Sequence, residues 1–182
     1  KRNVRTVEQT ELRGTGDAVL TCRGAVGANG GMVLVLYGDC PLVKAETLKN
    51  LISRQRNSSA AATMLTTRLA DPAGYGRIVR GPDGSVEAIV EHKAATPEQL
   101  AIDEVNPAVY CFRGELLWKS IDGIRPDNPA GEYYLTDVIA LFRKAGEGVD
   151  AVFHEDAQEL LGINTRIELA AADRVLRERA VE

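Results

Sequence analysis

The sequence of 182 residues lacks three features that would each indicate a class of function. It has no basic stripe, because 22 Lys and Arg are interspersed with 26 Asp and Glu for a net charge of −4, which argues against nucleic acid as a partner. It has no apolar run long enough to cross a bilayer or serve as a secretory signal, so no membrane partner is expected. With 45% hydrophobic residues, it is expected to form one globular domain with a substantial core.

Cysteine is also scarce, and the three thiols, Cys22, Cys40 and Cys111, are scattered in apolar surroundings. They show no spacing typical of metal ligands, so we expect reduced thiols and a cytoplasmic protein. Cys40 follows Asp39, but no histidine is near it in sequence, which favours a packing role over a catalytic one.

The most informative segment that is present runs from Met32 to Leu42. A continuous apolar run ends there at Tyr37, Gly38 and Asp39, and such runs are typical of strands buried on both faces of a parallel α/β sheet. Asp39 then falls just past the carboxyl end of a central strand, where open α/β sheets bind ligands. A carboxylate there can hold Mg²⁺ together with substrate phosphates, and the alternative is a strand-ending turn with a solvated Asp.

Strand and helix patterns alternate along the chain. The predicted strands are 4–9, 32–37, 60–69, 104–112 and 149–153. The predicted helices are 45–56, 134–144, 165–179 and one that Gly14-Thr15-Gly16 opens and that ends near Ala25. Turn residues 81–84 predict a β-hairpin between 76–79 and 86–91. The predicted fold is therefore α/β with three layers, a mainly parallel sheet and a β-hairpin insertion.

Short motifs follow one another in a set order at 7–18, 71–78, 89–93, 104–106, 131–137 and 161–166. In this order and at these separations, they resemble the uridyltransferase domain of bacterial N-acetylglucosamine-1-phosphate uridyltransferases, which are sugar nucleotidyltransferases with a Rossmann-like fold. Gly-Glu-Tyr-Tyr-Leu-Thr-Asp (131–137) and Gly-Tyr-Gly-Arg-Ile (74–78) are the most specific pieces. The resemblance implies Mg²⁺-dependent uridyl transfer from UTP to N-acetylglucosamine 1-phosphate, which gives UDP-N-acetylglucosamine and pyrophosphate for cell-wall precursor synthesis.

The resemblance implies one group of residues for the nucleotide and the metal. The implied nucleotide-binding residues are Gln9, Gly14, Thr15, Tyr37, Gly38 and Asp39. Asp39 and Asn164 would be the Mg²⁺ ligands and the catalytic pair. The Gln9 amide suits a pyrimidine edge because it offers both a donor and an acceptor. Without the resemblance, Gln9 would be an exposed polar residue and Asn164 a helix N-cap.

A second implied group would bind the sugar: Gly76, Glu91, Asn106, Tyr134 and Thr136. Gly76 would act through its backbone, and Glu91 would accept hydrogen bonds from sugar hydroxyls. The alternatives are a solvated glutamate at a strand end and, for Tyr134 and Thr136, an ordinary helix start. Asn106 departs from the family pattern in its surroundings. Pro107 and Ala108 follow it where the family usually has a small polar residue and Gly, and the proline favours extended geometry at Asn106.

Two family features are absent from the sequence. One is the loop Leu-x-x-Gly-x-Gly-Thr-x-Met, which leads to the arginine and lysine that neutralise the triphosphate. The other is the hexapeptide repeats of the acetyltransferase domain, through which the family forms homotrimers. We therefore expect residues 1–182 to be a partial uridyltransferase domain without the first βα unit, whose helix from about 165 leads towards an absent acetyltransferase domain.

We further expect that an accompanying segment supplies the missing strand or that the isolated chain is poorly folded and inactive, since unpaired strand flanks are costly in water. The open alternatives to uridyl transfer are a related transferase using another sugar phosphate or dTTP, and a nucleotide-sugar binding module without turnover.

Overall fold

The computed structural model describes residues 4–27 and 31–181. The strands in those ranges are β1 (Met32–Val35), β2 (Ala62–Arg68), β3 (Gly76–Arg80), β4 (Val86–Val90), β5 (Glu104–Asn106), β6 (Tyr110–Arg113) and β7 (Val149–Phe153). The α-helices are α1 (Thr15–Thr21), α2 (Arg23–Val26), α3 (Ala45–Asn57), α4 (Pro97–Leu100), α5 (Gly114–Ser120), α6 (Asp137–Lys144) and α7 (Arg166–Val181). Short 3₁₀ helices lie at His92–Ala94, Ile121–Gly123 and Ala157–Leu160.

The strands form one sheet in the order β1-β6-β2-β5-β3-β4, with β7 beside β2. β1, β2 and β7 point the same way, because β1 and β2 both pair antiparallel with β6 and β2 pairs parallel with β7. The ladders of β5 with β2, and of β3 with β4 and β5, are antiparallel. The α/β class and the hairpin are confirmed. The expectation of a mainly parallel sheet is wrong, since β6 inserts between two strands of like direction.

Helices cover both faces of the sheet, so the predicted three layers are confirmed. Side chains alternate along β6, which places Tyr110 and Phe112 in a core with α5 and α6 and places Cys111 in a core with α3. Tyr110 and Phe112 stack with ring centroids 5.3 Å apart. A third, smaller cluster attaches α7 to the loop after β1 and consists of Leu42, Ala172 and Val175.

β1 is not the central strand that the sequence predicted. It ends the strand order and pairs only with β6 in the part of the chain that the structure describes. Its residues are exposed or half-buried, and Met32 keeps 39% of its surface. The apolar run arises because β1 still contacts both cores, with Val33 and Val35 packed against one and Leu34 against the other.

Three predicted elements need correction. Residues 4–9 form no strand, since Val4 and Val7 are exposed and no described strand pairs with them. The strand predicted at 104–112 is broken, because Pro107 has no N–H to donate and Ala108 adopts a φ of +59°. The helix predicted from Tyr134 begins at Asp137.

None of the helices formed by residues 4–27 and 31–181 combines the length and the apolar character needed to cross a membrane.

Candidate active site

A cavity of about 240 Å³ opens where the loop after β1, the ends of β4 and β5, the start of β3 and the turn before α7 meet. We call it the acidic cavity. Six residues predicted from the sequence line it: Tyr37, Asp39, Gly76, Glu91, Asn106 and Asn164. They are far apart in the chain, so the fold alone brings them together.

Asp39 and Asn164 lie at one end of the acidic cavity, and both approach Gly162. A Cβ added to Gly162 would lie 3.4 Å from Asp39 Oδ2 and 3.8 Å from Asn164 Nδ2. The Ile163 N–H donates to the Asp39 carbonyl oxygen at 2.9 Å, which ties the turn before α7 to the loop after β1. The two predicted ligands therefore lie close together, and Gly162, which has no side chain, leaves the space beside them open.

The chemistry of this pair fits Mg²⁺. A carboxylate and an amide both offer hard oxygen ligands, which this ion prefers. Within residues 4–27 and 31–181, no cluster of three or more His, Cys, Asp or Glu forms a complete metal cage. Mg²⁺ usually keeps several waters and is held by one or two protein oxygens together with substrate phosphates, so a two-residue set is sufficient. The ligand roles of Asp39 and Asn164 stay predictions.

Gly76, Glu91 and Asn106 form the other end of the cavity. A Cβ on Gly76 would lie 3.6 Å from Glu91 Oε2 and 3.7 Å from the Asn106 Cβ, so glycine leaves the space between these side chains open. The Thr136 hydroxyl donates to Glu91 Oε1 at 2.9 Å. Burial raises the pKa of Glu91, the Thr136 hydrogen bond opposes that rise, and the nearby carboxylates of Asp137 and Glu132 add to it. A carboxylate in this state gains from further hydrogen-bond donors, such as sugar hydroxyls.

The Asn106 side chain is already engaged with the protein. Its Oδ1 accepts from the Ala108 N–H at 3.0 Å, and its Nδ2 donates to the Tyr110 hydroxyl at 2.6 Å. These bonds hold the kink that Pro107 introduces between β5 and β6. Asn106 therefore shapes the wall of the cavity, and only its remaining amide hydrogen and lone pair can serve a ligand.

Two of the five predicted sugar residues are not brought to the cavity wall. Thr136 is 1% exposed and lies behind Glu91, which it supports through the hydrogen bond described above. Tyr134 is half-buried and is not part of the lining. Sequence reasoning placed both residues by their motif, and a motif does not say which side chains face inward.

A second, larger cavity of about 650 Å³ lies between α1 and β1. We call it the apolar cavity, because most of its lining consists of aliphatic residues together with Trp118. Four predicted nucleotide-binding residues also line it: Thr15, Tyr37, Gly38 and Asp39. Burial raises the pKa of Tyr37 to about 12, although a hydrogen bond with Thr15 opposes the rise, so the phenol stays protonated. Tyr37 and Asp39 line both cavities and thus stand at their junction.

Gln9, Gly14 and Thr15 form one hydrogen-bonded unit. Gln9 Nε2 donates to Asp17 Oδ2 at 2.8 Å and to the Gly14 carbonyl at 3.2 Å. Gly14 has a φ of +113°, and a Cβ there would lie 2.6 Å from the Tyr133 carbonyl oxygen, so the position requires glycine. Thr15 Oγ1 accepts from the Leu135 N–H at 3.0 Å. The Gly-Thr-Gly and Gly-Glu-Tyr-Tyr-Leu-Thr-Asp motifs are therefore in direct contact.

Sequence reasoning missed Tyr75 and Asp17, and it assigned Cys40 a packing role without placing it at the site. Tyr75 and Cys40 line the acidic cavity, and Asp17 is the buried acceptor of the Gln9 amide. Tyr75 could have been found, since it stands inside the quoted Gly-Tyr-Gly-Arg-Ile motif. Burial, followed by the charge of Asp39, raises the pKa of the Cys40 thiol to about 12, which favours the neutral thiol and agrees with a packing role.

A three-layer α/β fold with an acidic, cation-compatible cavity at the strand ends is typical of enzymes that handle phosphorylated ligands. The chain belongs to the nucleotidyl transferase family, whose sequence profile matches residues 2–158. The family membership predicted from the motifs is thereby confirmed.

The chain is similar to bacterial proteins named bifunctional protein GlmU. It is 50% identical over 173 residues to that of Solibacter usitatus, covering 95% of this chain and 37% of the relative. It is 47% identical over 174 residues to that of Halalkalibacterium halodurans, covering 96% of this chain and 38% of the relative. The chain thus spans less than two fifths of the length of these relatives.

Solved structures show the same fold. A crystal structure of UDP-glucose pyrophosphorylase complexed with UDP-glucose aligns with 91% of this chain and 64% of its own, at a TM-score of 0.64 and 14% sequence identity. The Rossmann-like nucleotidyltransferase fold that the motifs implied is confirmed.

Proposed function

We propose that this chain carries a uridyltransferase site, which binds UTP and N-acetylglucosamine 1-phosphate and supports their conversion to UDP-N-acetylglucosamine and pyrophosphate. The observation that carries the proposal is the convergence of six predicted residues on one acidic cavity. Similarity of nearly the whole chain to GlmU proteins supports it.

In this reaction, a phosphate oxygen of the sugar phosphate attacks the α-phosphorus of UTP, and the bond to pyrophosphate breaks. The nucleophile is already an anion, so no protein base is required. Catalysis then rests on positioning and on charge neutralisation. A divalent cation, when bound by Asp39 and Asn164, would neutralise phosphate charge at the junction of the two cavities.

The charges of the acidic cavity are consistent with a cation at one end and a sugar at the other. Asp39 and Glu91 line it, and no Lys or Arg does so in the described part of the chain. A bound cation would therefore offset the repulsion between Asp39 and a phosphate placed beside it. Glu91, at the other end, faces the space that a sugar would fill and can accept hydrogen bonds from its hydroxyls.

A second candidate function is nucleotide-sugar binding without turnover. It is favoured by one observation: within residues 4–27 and 31–181, no basic side chain lines either cavity. A leaving pyrophosphate would lack protein cations there, which slows transfer more than it weakens binding of the product. Pyrophosphate release assayed beside direct binding of UDP-N-acetylglucosamine separates the two candidates.

Asp39→Asn tests the proposed metal site. We expect Mg²⁺-dependent binding of UDP-N-acetylglucosamine to weaken by roughly 10- to 100-fold, because a charged ligand is lost, while metal-free binding persists. Calorimetric titration with and without Mg²⁺ measures both quantities. Asp127→Asn is the matched control, because Asp127 is exposed and lines neither cavity. An unchanged Mg²⁺ dependence in Asp39→Asn would refute the assignment.

A further inference from the structure

The turn at residues 161–164 holds Asn164 through consecutive backbone N–H groups. The Gly162 N–H donates to the Tyr75 hydroxyl at 3.0 Å, and the Ile163 N–H to the Asp39 carbonyl at 2.9 Å. The Asn164 N–H donates to Glu168 Oε2 at 2.6 Å, within the start of α7. The acceptor of the first bond is a side chain 87 residues earlier in the chain, which also lines the acidic cavity.

Tyr75 is held at both ends. Its carbonyl accepts a hydrogen bond from the guanidinium of Arg77, which is 2% exposed and whose second terminal nitrogen lies 3.4 Å from His92 Nδ1. His92 directly follows Glu91, so Arg77 ties the backbone of Tyr75 to the sugar end of the cavity. Burial raises the pKa of Tyr75, which keeps the hydroxyl protonated while it accepts from Gly162.

Tyr75 also lies between two cavities. It lines the acidic cavity on one side and, on the other, a separate cavity of about 310 Å³ between α7 and the loop after β2. Gly162 borders both spaces as well. Without the Tyr75 hydroxyl, the Gly162 N–H loses its partner, and the turn has empty space beside it into which it can relax.

We propose that Tyr75 is a positioning residue that sets the place of Asn164 relative to Asp39 and so couples the sugar end of the cavity to its metal end. This inference rests on the proposed function, since it takes Asp39 and Asn164 as the cation ligands. The Ile163 bond fixes the turn to the Asp39 loop, the Glu168 bond fixes it to α7, and the Tyr75 bond adds a third tie from the loop before β3. The effect on the cation is therefore transmitted through Asn164.

Tyr75→Phe tests the inference, because it removes the hydroxyl and keeps the ring. The measurement is Mn²⁺ binding to the UDP-N-acetylglucosamine complex of the full chain, followed by electron paramagnetic resonance of the free ion. We expect Mn²⁺ affinity to fall by about 3- to 10-fold, the effect of one neutral hydrogen bond. Metal-free binding of UDP-N-acetylglucosamine and the thermal midpoint should match the wild type. Tyr133→Phe is the matched control, since the Tyr133 ring packs against the core and no partner of its hydroxyl occurs in the described ranges.

A double-mutant cycle shows whether Tyr75 acts through Asn164. Tyr75→Phe should change Mn²⁺ affinity in the wild type and leave it unchanged in the Asn164→Ala background. Additive losses, an unaltered affinity in Tyr75→Phe, or an equal loss of metal-free binding each overturn the inference. If Asp39→Asn loses Mn²⁺ while Tyr75→Phe does not, only the inference fails. A wild-type complex that binds no Mn²⁺ overturns the proposed function together with it.

Discussion

Two glutamates that are partly or fully shielded from water, Glu159 and Glu91, differ in how many hydrogen-bond donors surround their carboxylates. Glu159 is 1% exposed and accepts from the Lys44 backbone N–H at 2.8 Å, while Lys44 Nζ and His154 Nε2 each lie 3.2 Å from its Oε2. Burial alone would raise the pKa of Glu159, but hydrogen bonds from Thr47 and Lys44 outweigh burial and lower it. Glu91, in the acidic cavity, has Thr136 as its one recorded donor in the described part of the chain, and burial keeps its pKa raised.

The difference separates a structural carboxylate from one that is available to a ligand. The partners of Glu159 are all built into the protein, where they join the start of α3 to the 3₁₀ helix Ala157–Leu160. Glu91 is left with unused acceptor capacity beside an open space. Burial without full hydrogen bonding is unfavourable for stability, and such groups concentrate at functional sites. The following substitutions test this contrast.

Glu159→Gln should have the largest effect on folding. The amide cannot accept from every donor that surrounds it, so we expect a loss of about 2 kcal/mol in the free energy of unfolding at neutral pH. Because the pKa of Glu159 is lowered in the folded state, its stabilisation exists above the ordinary value of 4.5 and is lost as the pH falls through the lower folded value. Urea unfolding as a function of pH should show the two proteins converging in acid. Glu155→Gln, an exposed neighbour, serves as the control, and equal loss there would remove the contrast.

Glu91→Gln should act on the ligand instead. We expect affinity for N-acetylglucosamine 1-phosphate to fall by roughly 10-fold, with UTP affinity nearly unchanged, because a charged acceptor of sugar hydroxyls is lost. Titration calorimetry with each substrate measures this difference. If both affinities fell equally, Glu91 would be supporting the fold.

The same variant should be more stable than the wild type at neutral pH. The raised pKa means that the folded state disfavours the charged carboxylate, so wild-type stability falls as the pH rises from 4.5 through the folded value. The stability advantage of Glu91→Gln should therefore vanish in acid. Glu87→Gln on the same strand is the control, because Glu87 is exposed. A destabilised Glu91→Gln at neutral pH would contradict the comparison.

Thr136→Val should give the smallest and most specific change. The Thr136 hydrogen bond lowers the pKa of Glu91, so its removal should raise that pKa further and move the acid limb of sugar binding to higher pH. At neutral pH we expect a loss in sugar affinity of about threefold. Thr136→Ser keeps the hydroxyl and should retain the wild-type profile. A Thr136→Ser profile identical to that of Thr136→Val would show that packing, not the hydrogen bond, matters here.

Patterns within a few neighbouring residues correctly predicted the helices and strands that depend mainly on local sequence. α3, the hairpin and β7 match their predicted ranges closely, because helical spacing, turn residues and a short strand pattern act over a few neighbours. The place of β1 in the sheet could not be read in this way. An apolar run shows that both faces are covered, but it does not show that, among the described residues, only one backbone edge of β1 pairs with another strand.

In the candidate site, too, some features could be predicted from local sequence and others depend on the fold. Asp39, Glu91 and Asn164 could be named from motifs, and the fold brings them to one cavity. The commitment of the Asn106 amide to the Ala108 kink could not be predicted, since it depends on a backbone conformation with a φ of +59°. The same holds for Thr136 and Tyr134, because their motif does not show that Thr136 is buried against Glu91 while Tyr134 stays half-buried outside the cavity lining.

The metal end of the cavity also joins chain segments that are made far apart in time. Asp39 is synthesised well before Asn164 and α7, and α7 reaches back to the Leu42 carbonyl through Arg179. The hydrogen bonds of Gly162 and Ile163 reach residues far back in the chain, and contacts of such long range form late in folding. A nascent chain that ends before residue 161 would therefore keep the hairpin and Glu91 but lack Asn164 and the turn that holds it. The paired cation ligands should therefore form only after the turn before α7 has been synthesised.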